Sequence, residues 1–239
     1  MKKTIYLIAI GVITLLCITI GIFRSSKNGR YNWKKNIKIT WNNEENIEEF
    51  ENEKEYSKAL ESFSEIEIDA QVLTVEIERG TNYWAYAAYS KEFLEPKLKL
   101  QNGKLSIKQS TKNGPNMGTT TAILRLSIPY DVDLDNIYIN VNVGEIEIED
   151  ISSDKIRIKN NVGQIDVTDC KFSKLDADTN VGEIDIRIED DLKDYSIKAE
   201  TNIGEIEIGG KNYKKSFTQK GNDNKKIELK TNVGEISLN

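Results

Sequence analysis

The sequence predicts an all-β protein: a parallel β-solenoid, β-helix-like, of about five regular coils plus a degenerate N-terminal coil, preceded by one N-terminal transmembrane helix. Three observations carry this reading. First, one phrase recurs five times, as Asn, a branched apolar residue, Gly, a polar residue, then an alternating strand. It starts at Asn142, Asn161, Asn180, Asn202 and Asn232, and its glycines Gly144, Gly163, Gly182, Gly204 and Gly234 lie 19, 19, 22 and 30 residues apart. Spacing of that order marks stacked supersecondary units. Second, both flanks of every phrase alternate apolar and polar with the period of a strand. Third, an uncharged and mostly apolar run extends from Thr4 to Phe23.

That run opens the chain after Met1-Lys2-Lys3. About 20 residues at 1.5 Å each span roughly 30 Å, the thickness of a bilayer core. A cleaved signal needs small residues before the cut, and only Thr19 and Gly21 offer a weak match. Leu15 and Leu16 precede Cys17, which is not a lipoprotein pattern. Residues 1–23 are therefore read as an uncleaved single-pass anchor. Arg24, Lys27, Arg30, Lys34 and Lys35 follow it and pull against the usual orientation, since positive flanks stay inside. Long domains translocate regardless of such charges, so the expected location is the cell membrane with the solenoid outside the cytoplasm.

Residues 24–61 read as a charged linker, first basic and then acidic, with Ile47, Phe50 and Leu60 hinting at a short helix. The basic block either meets anionic headgroups or wall polymer or is a solvated run of topology charges. Residues 62–239 form the solenoid. Its degenerate coil keeps the apolar spacing at Ile66, Ile68, Val72, Val75 and Ile77, with Gln71 and Leu73 in the Asn and Gly positions. An aromatic cluster follows, Tyr83, Trp84, Tyr86, Tyr89 and Phe93, which a strand divides between two faces. Pro96 to Gln109 reads as a hairpin around Asn102-Gly103, 112–121 as a loop, and Ala122 to Ile128 as a strand ended by Pro129.

In the five regular coils, aliphatic residues stand five and three positions before each Asn and two and four after each Gly. Ile156, Ile158, Ile165 and Val167 show the pattern. Two short strands per coil thus bury one face each, and stacking at about 4.8 Å makes a continuous column. Gly at the fixed corner implies a positive φ. The preceding Asn residues, one per coil, imply a ladder of side-chain amides. Cys170, ten residues before an Asn like Ile151 and Leu192, reads as a small hydrophobe in the stack. The chain ends one residue after Leu238, so the fifth coil is expected to close the stack. The insertion from Gly209 to Lys226 is expected to fold over it, with Tyr213 and Phe217 as apolar contacts.

Composition excludes more than it names. Net charge is −6, against the basic face of a nucleic-acid binder. The chain has no histidine, which removes the commonest general base, metal ligand and pH switch. Its two cysteines, one in the apolar run, give no disulfide framework.

Stacked carboxylates at Glu145, Glu183, Glu205 and Glu235, continued by Gln164, bring acids about 5 Å apart, as in a retaining glycosidase. Yet the motif repeats in every coil, and a solenoid flank is not a water-excluding pocket. A calcium ladder is the better chemical alternative, and a solvated acidic edge is the prevailing reading. No catalytic, cofactor or metal residue is assigned.

The candidate binding residues are Trp84 and Tyr86, whose rings suit sugar stacking or core packing, and Lys211, Lys214 and Lys215 in the insertion, which suit phosphates or plain solvation.

The order Ile128-Pro129-Tyr130-Asp131, Leu134, Ile137-Tyr138-Ile139, then repeated Asn-Val-Gly-Glu-Ile-Glu-Ile, resembles a bacterial cell-envelope family. Its domain is labelled a candidate adhesin or a domain of unknown function. The resemblance spans Phe63 to Asn239. It implies a membrane-anchored, non-enzymatic module that adheres to, binds or senses a partner, with envelope-stress signalling as one implied role. The partners admitted are the membrane through the N-terminal helix, an envelope glycan, an anionic polymer or another protein. The alternative from a different class is a self-assembling β-helical scaffold at the membrane.

Overall fold

The computed structural model describes residues 54–109 and 121–239. The expected anchor at 1–23, most of the linker and the loop at 112–120 lie outside the described residues. Among the described residues no helix is long and apolar enough to cross a membrane.

Each regular coil builds one rung from a long strand and a short one. The rungs are β8 (Leu134–Val143) with β9 (Ile146–Glu149), β10 (Ser152–Val162) with β11 (Ile165–Thr168), and β12 (Lys171–Val181) with β13 (Ile184–Arg187). The fourth coil gives β14 (Tyr195–Ile203) and β15 (Ile206–Ile208), and the fifth gives β18 (Asn222–Val233) and β19 (Ile236–Leu238). The long strands pair in parallel to form one sheet, here the long-strand sheet, and the short strands form the other. All 20 aliphatic positions read from the repeat point between the sheets, none more than 5% exposed. This core is the main source of stability, because apolar burial scales with the area removed from water.

Two more rungs extend the column. The degenerate coil forms β2 (Glu65–Val72) and β3 (Thr74–Gly80), with Ile66, Ile68, Val75 and Ile77 all buried. The second strand of the expected hairpin, β6 (Lys104–Lys108), and the strand β7 (Ala122–Pro129) make a further rung outside it. The degenerate coil is therefore not the end of the stack. The hairpin itself is present: β5 (Lys97–Gln101) runs antiparallel to β6 through a turn with φ of 53° at Asn102 and 73° at Gly103. Left-handed backbone at both central residues matches the twist of hairpin strands.

Rung order departs from chain order at both ends. The short-strand sheet runs β1-β4-β7-β3-β9-β11-β13-β19-β15-β16, and the long-strand sheet β17-β14-β18-β12-β10-β8-β2-β6-β5. Here β1 is Lys54–Ala59, β4 Trp84–Tyr89, β16 Lys211–Tyr213 and β17 Ser216–Gln219. The fifth coil is inserted between the third and the fourth, with β18 pairing β12 and β14, and β19 pairing β13 and β15. The expectation of a terminal, uncovered fifth coil is thus corrected. The insertion does act as a cap, but over the fourth coil: β17 lies antiparallel on β14 and β16 antiparallel on β15, with the Tyr213 and Phe217 rings 4.6 Å apart.

At the other end β1, β4 and β5 close the sheets with antiparallel pairing. Residues 54–59, expected in the linker near a short helix, are strand because β4 offers them a pairing edge.

Candidate interaction surfaces

The repeated corner determines what each flank displays. Every corner glycine has a φ between 136° and 158°, and a Cβ there would meet the neighbouring rung's carbonyl oxygen at 1.8–2.0 Å. Only glycine satisfies both demands. In the degenerate coil Leu73 takes this place with its side chain wholly buried.

The asparagines form a continuous amide ladder in spatial order. Asn161 donates to Asn142 at 3.1 Å, Asn180 to Asn161 at 3.2 Å, Asn232 to Asn180 at 2.6 Å and Asn202 to Asn232 at 2.9 Å. Behind it, Asn160, Thr231 and Thr201 are buried and donate to glycine carbonyls of adjacent rungs at 2.8, 3.3 and 3.2 Å. Asn142, Asn161, Asn180, Asn202 and Asn232 thus spend an amide donor or acceptor on one another, which is a structural use.

The two outer faces differ in electrostatics. On the long-strand sheet one row alternates in sign, Lys159, Asp178, Lys230 and Glu200 across four strands, while Lys155, Lys174 and Lys226 stand side by side in another. Arg157 also reaches Asp176 at 3.1 Å. On the short-strand sheet Glu76, Glu147, Asp166 and Asp185 lie side by side on β3, β9, β11 and β13. Arg125 of β7 pairs with Glu76 at 2.5 Å and closes that row at one end. Burial first, and then the charges of Asp185, Glu147 and Glu145, push the Asp166 carboxyl up to about 6, opposed by a hydrogen bond from Gln164.

The candidate binding residues are not brought together. Trp84 and Tyr86 lie on β4, half-buried on one face, with Tyr86 donating to Glu55 at 2.8 Å beneath Arg125, 5.8 Å from its ring. Tyr83 instead packs on Phe63, ring centroids 4.8 Å apart. Lys211, Lys214 and Lys215 are exposed on and after β16. Seven strands of the same sheet separate β4 from β16, so the aromatics and lysines decorate opposite caps.

Cys170 is buried, its thiol in contact with the Ile148 and Thr168 carbonyls, and burial pushes it up to about 12. That is no nucleophile at neutral pH. Among the described residues no group of three or more acids, cysteines or histidines is placed to hold a metal ion.

Sequence reading missed Gln109. It is 6% exposed; its Oε1 accepts from the Gln71 and Val72 amides and its Nε2 donates to the Val72 and Leu94 carbonyls. Its place at the next inward position of the Leu105 and Ile107 alternation was the available signal.

The glycine-cornered rungs thus stack into one column with antiparallel strands at both ends. The Toastrack DUF4097 family model matches residues 63–186 and 131–239, and the chain belongs to that family. Among solved structures, a candidate cell adhesion protein from Clostridium sporogenes is similar, with 16% identity and a TM-score of 0.61 over 78% of this chain and 98% of that one. A candidate adhesin from Bacteroides fragilis matches at 12% identity and a TM-score of 0.39, over 78% of this chain and 97% of that one. No curated protein matches the chain.

Proposed function

We propose that the chain is a non-enzymatic, membrane-anchored module of the bacterial cell envelope, presenting its solenoid outside the cytoplasm to bind or sense a partner. The observation that carries this reading is the closure of both ends of the column. Open strand edges template pairing with further chains. Here β17 and β16 cover the fourth coil, and β1, β4 and β5 cover the other end, while the chain's last rung is interior. Edge strand β5 also carries the exposed Lys97 and Lys99, a common device against edge pairing. Among the described residues, end-to-end scaffold assembly, the alternative reading, finds no uncapped coil, and the edges left belong to the antiparallel strands β1, β5, β16 and β17. The adhesion description of the similar Clostridium sporogenes structure points the same way.

Two measurements test the proposal. Light scattering on residues 52–239 across a hundredfold concentration range is expected to give a constant monomer mass, whereas growing or filamentous species would favour the scaffold. Protease treatment of intact cells is expected to remove the domain. Full protection until lysis would place it in the cytoplasm and overturn the envelope reading.

A further inference from the structure

On the outer face of the long-strand sheet, β2, β6 and β5 frame a shallow, open depression of about 700 Å³. Its walls carry four lysines, Lys97, Lys99, Lys104 and Lys108, against two glutamates, Glu65 and Glu67. Strand alternation sends Leu98, Leu100, Leu105 and Ile107 toward the core and leaves the polar residues between them on this side. No aromatic or aliphatic side chain lines the depression, so it suits a charged ligand rather than an apolar one.

The acids leave three of these lysines unpaired. Lys104 is bonded to Glu67 at 2.5 Å, whereas among the described residues Lys97, Lys99 and Lys108 make no ion pair. Asp69 stands in register with Lys108 but accepts from the Asn140 amide at 2.9 Å. Glu92, which feels the charge of Lys97, is bonded to Lys54 at 2.7 Å. Glu65 lies beside Lys104 at the turn end of the hairpin, away from Lys97 and Lys108. The bond from Lys104, opposed by burial and helped by the charges of Lys104 and Lys108, holds the Glu67 carboxyl below its ordinary range. Lys97 is the register partner of Lys108, and like charges directly opposite are destabilising. Edge protection accounts for lysines on β5, but not for Lys108 on β6, which has a neighbouring strand on each side.

We infer that this depression binds an anion that carries several linked phosphate groups. The inference rests on the partner-binding reading above and names that partner's chemistry. Side chains opposite each other on neighbouring strands stand about 5 Å apart, and alternate residues of one strand roughly 7 Å. Lys97, Lys99 and Lys108 therefore root a triangle of ammonium groups that successive phosphates of a chain can engage. Lysine meets phosphate oxygens as a point charge, whereas planar carboxylates favour the arginine fork, and no arginine lines the depression. Ser106, the register partner of Lys99, and the Gln101 and Asn102 amides add uncharged donors. A bound polyphosphate relieves the opposition of Lys97 and Lys108. The row of Lys155, Lys174 and Lys226 on the same sheet is less suited, because Lys226 is bonded to Glu228 at 2.8 Å and Glu228 and Asp176 stand side by side in the next row.

The probe is inorganic tripolyphosphate, titrated by calorimetry into the full-length chain in a neutral detergent at low salt. The triple variant Lys97→Gln/Lys99→Gln/Lys108→Gln is expected to weaken binding at least tenfold. Lys155→Gln/Lys174→Gln/Lys226→Gln removes the same charge from the same sheet and is expected to leave affinity within twofold. Equal loss from both triples would mean attraction by net charge alone and would overturn the inference, as would no binding by the native chain. Glycerophosphoglycerol, a lipid headgroup with one phosphodiester, is expected to bind at least tenfold more weakly than tripolyphosphate. Equal affinity would overturn the linked-phosphate requirement and assign the site to a single headgroup. Tripolyphosphate should also raise the melting midpoint of the native chain but not of the first triple, and a rise in both would put the bound anion elsewhere. A monomeric chain that fails these tests loses this site but keeps the partner-binding reading, whereas filaments would remove that reading whatever the titration shows.

Discussion

Gly182 is one of four corners, with Gly163, Gly204 and Gly234, where the stack leaves no room for a side chain. Its φ is +151°, and an added Cβ would lie 1.8 Å from the Gly163 oxygen and 2.7 Å from its carbonyl carbon. Cβ contacts below 3.0 Å do not occur, so Gly182→Ala forces the two rungs apart by at least 3.0 − 1.8 = 1.2 Å at that point. The bonds holding those rungs there are Gly163 N–H to the Val181 carbonyl at 3.0 Å and Ile165 N–H to the Glu183 carbonyl at 2.9 Å. Lengthened by that much, neither survives as a hydrogen bond.

Losing two such bonds costs about 1 kcal/mol each, and an L-residue in this backbone region adds roughly 1–3 kcal/mol. The expected total is about 3–5 kcal/mol. Gly103 supplies the control, because its φ is +73° but nothing lies within 4 Å of the added atom. Gly103→Ala is expected to cost only about 1–2 kcal/mol.

For a domain of this size each kcal/mol moves the melting midpoint by about 2–4 °C. Thermal unfolding followed by far-UV circular dichroism should therefore show a loss of about 6 °C or more for Gly182→Ala and a few degrees for Gly103→Ala. Equal shifts would refute the close approach of rungs as the reason for the repeated glycine.

Three further outcomes follow from the same geometry. Gln109→Leu strips four hydrogen bonds from a buried site and should cost at least about 3 kcal/mol in urea unfolding; a loss below about 1 kcal/mol would show the site rewets. The folded Asp166 carboxyl sits at about 6, above its unfolded value, so the folded state binds the extra proton and stability falls as pH rises from about 4 to 6. Asp166→Asn should raise stability at pH 7 by on the order of 1–3 kcal/mol and flatten the profile across that window, and a destabilised or equally pH-dependent variant would refute a carboxyl held up by burial and neighbouring acids. In a Cys17→Ser background, Cys170 should resist iodoacetamide at pH 8 while folded and react on unfolding; labelling of the native protein at the rate of a free thiol would contradict its burial.

Much of the fold was legible because the repeat specifies each rung locally. The aliphatic alternation determined which side chains point inward, and Asn-Val-Gly marked each corner. The order of rungs was not legible, because Ile184-Asp185-Ile186 presents the same face to Ile236-Ser237-Leu238 as to Ile206-Glu207-Ile208. Parallel pairing between near-identical strands carries little register information beyond the in-out alternation. The lengthened interval before Asn232 was the visible trace of a chain that leaves the column, caps it and returns.

The rung formed by β6 and β7 escaped notice for a different reason. Its corner lacks the Asn-Val-Gly phrase, and residues 110–120 separate its two strands, although Leu105, Ile107, Leu124 and Leu126 keep the apolar spacing. Of the outer faces, the acids at Glu147, Asp166 and Asp185 could be read from sequence, but which charges stand side by side beyond the third coil could not, because that depends on which rungs are neighbours.

The insertion of the fifth coil between the third and fourth is the central claim, and paired cysteines test it directly. Neighbouring parallel strands bring register partners to about 4.8 Å, within disulfide range, whereas rungs two apart stand at roughly 9.6 Å, beyond it. Asp185 is the register partner of Ser237, and Ser237 in turn of Glu207. In a Cys17→Ser background, Asp185→Cys with Ser237→Cys should form a disulfide on mild oxidation, seen as a mobility shift on non-reducing electrophoresis. Asp185→Cys with Glu207→Cys should not. Cross-linking of the second pair and not the first would mean that the rungs stack in chain order, and the threaded, doubly capped column would be wrong.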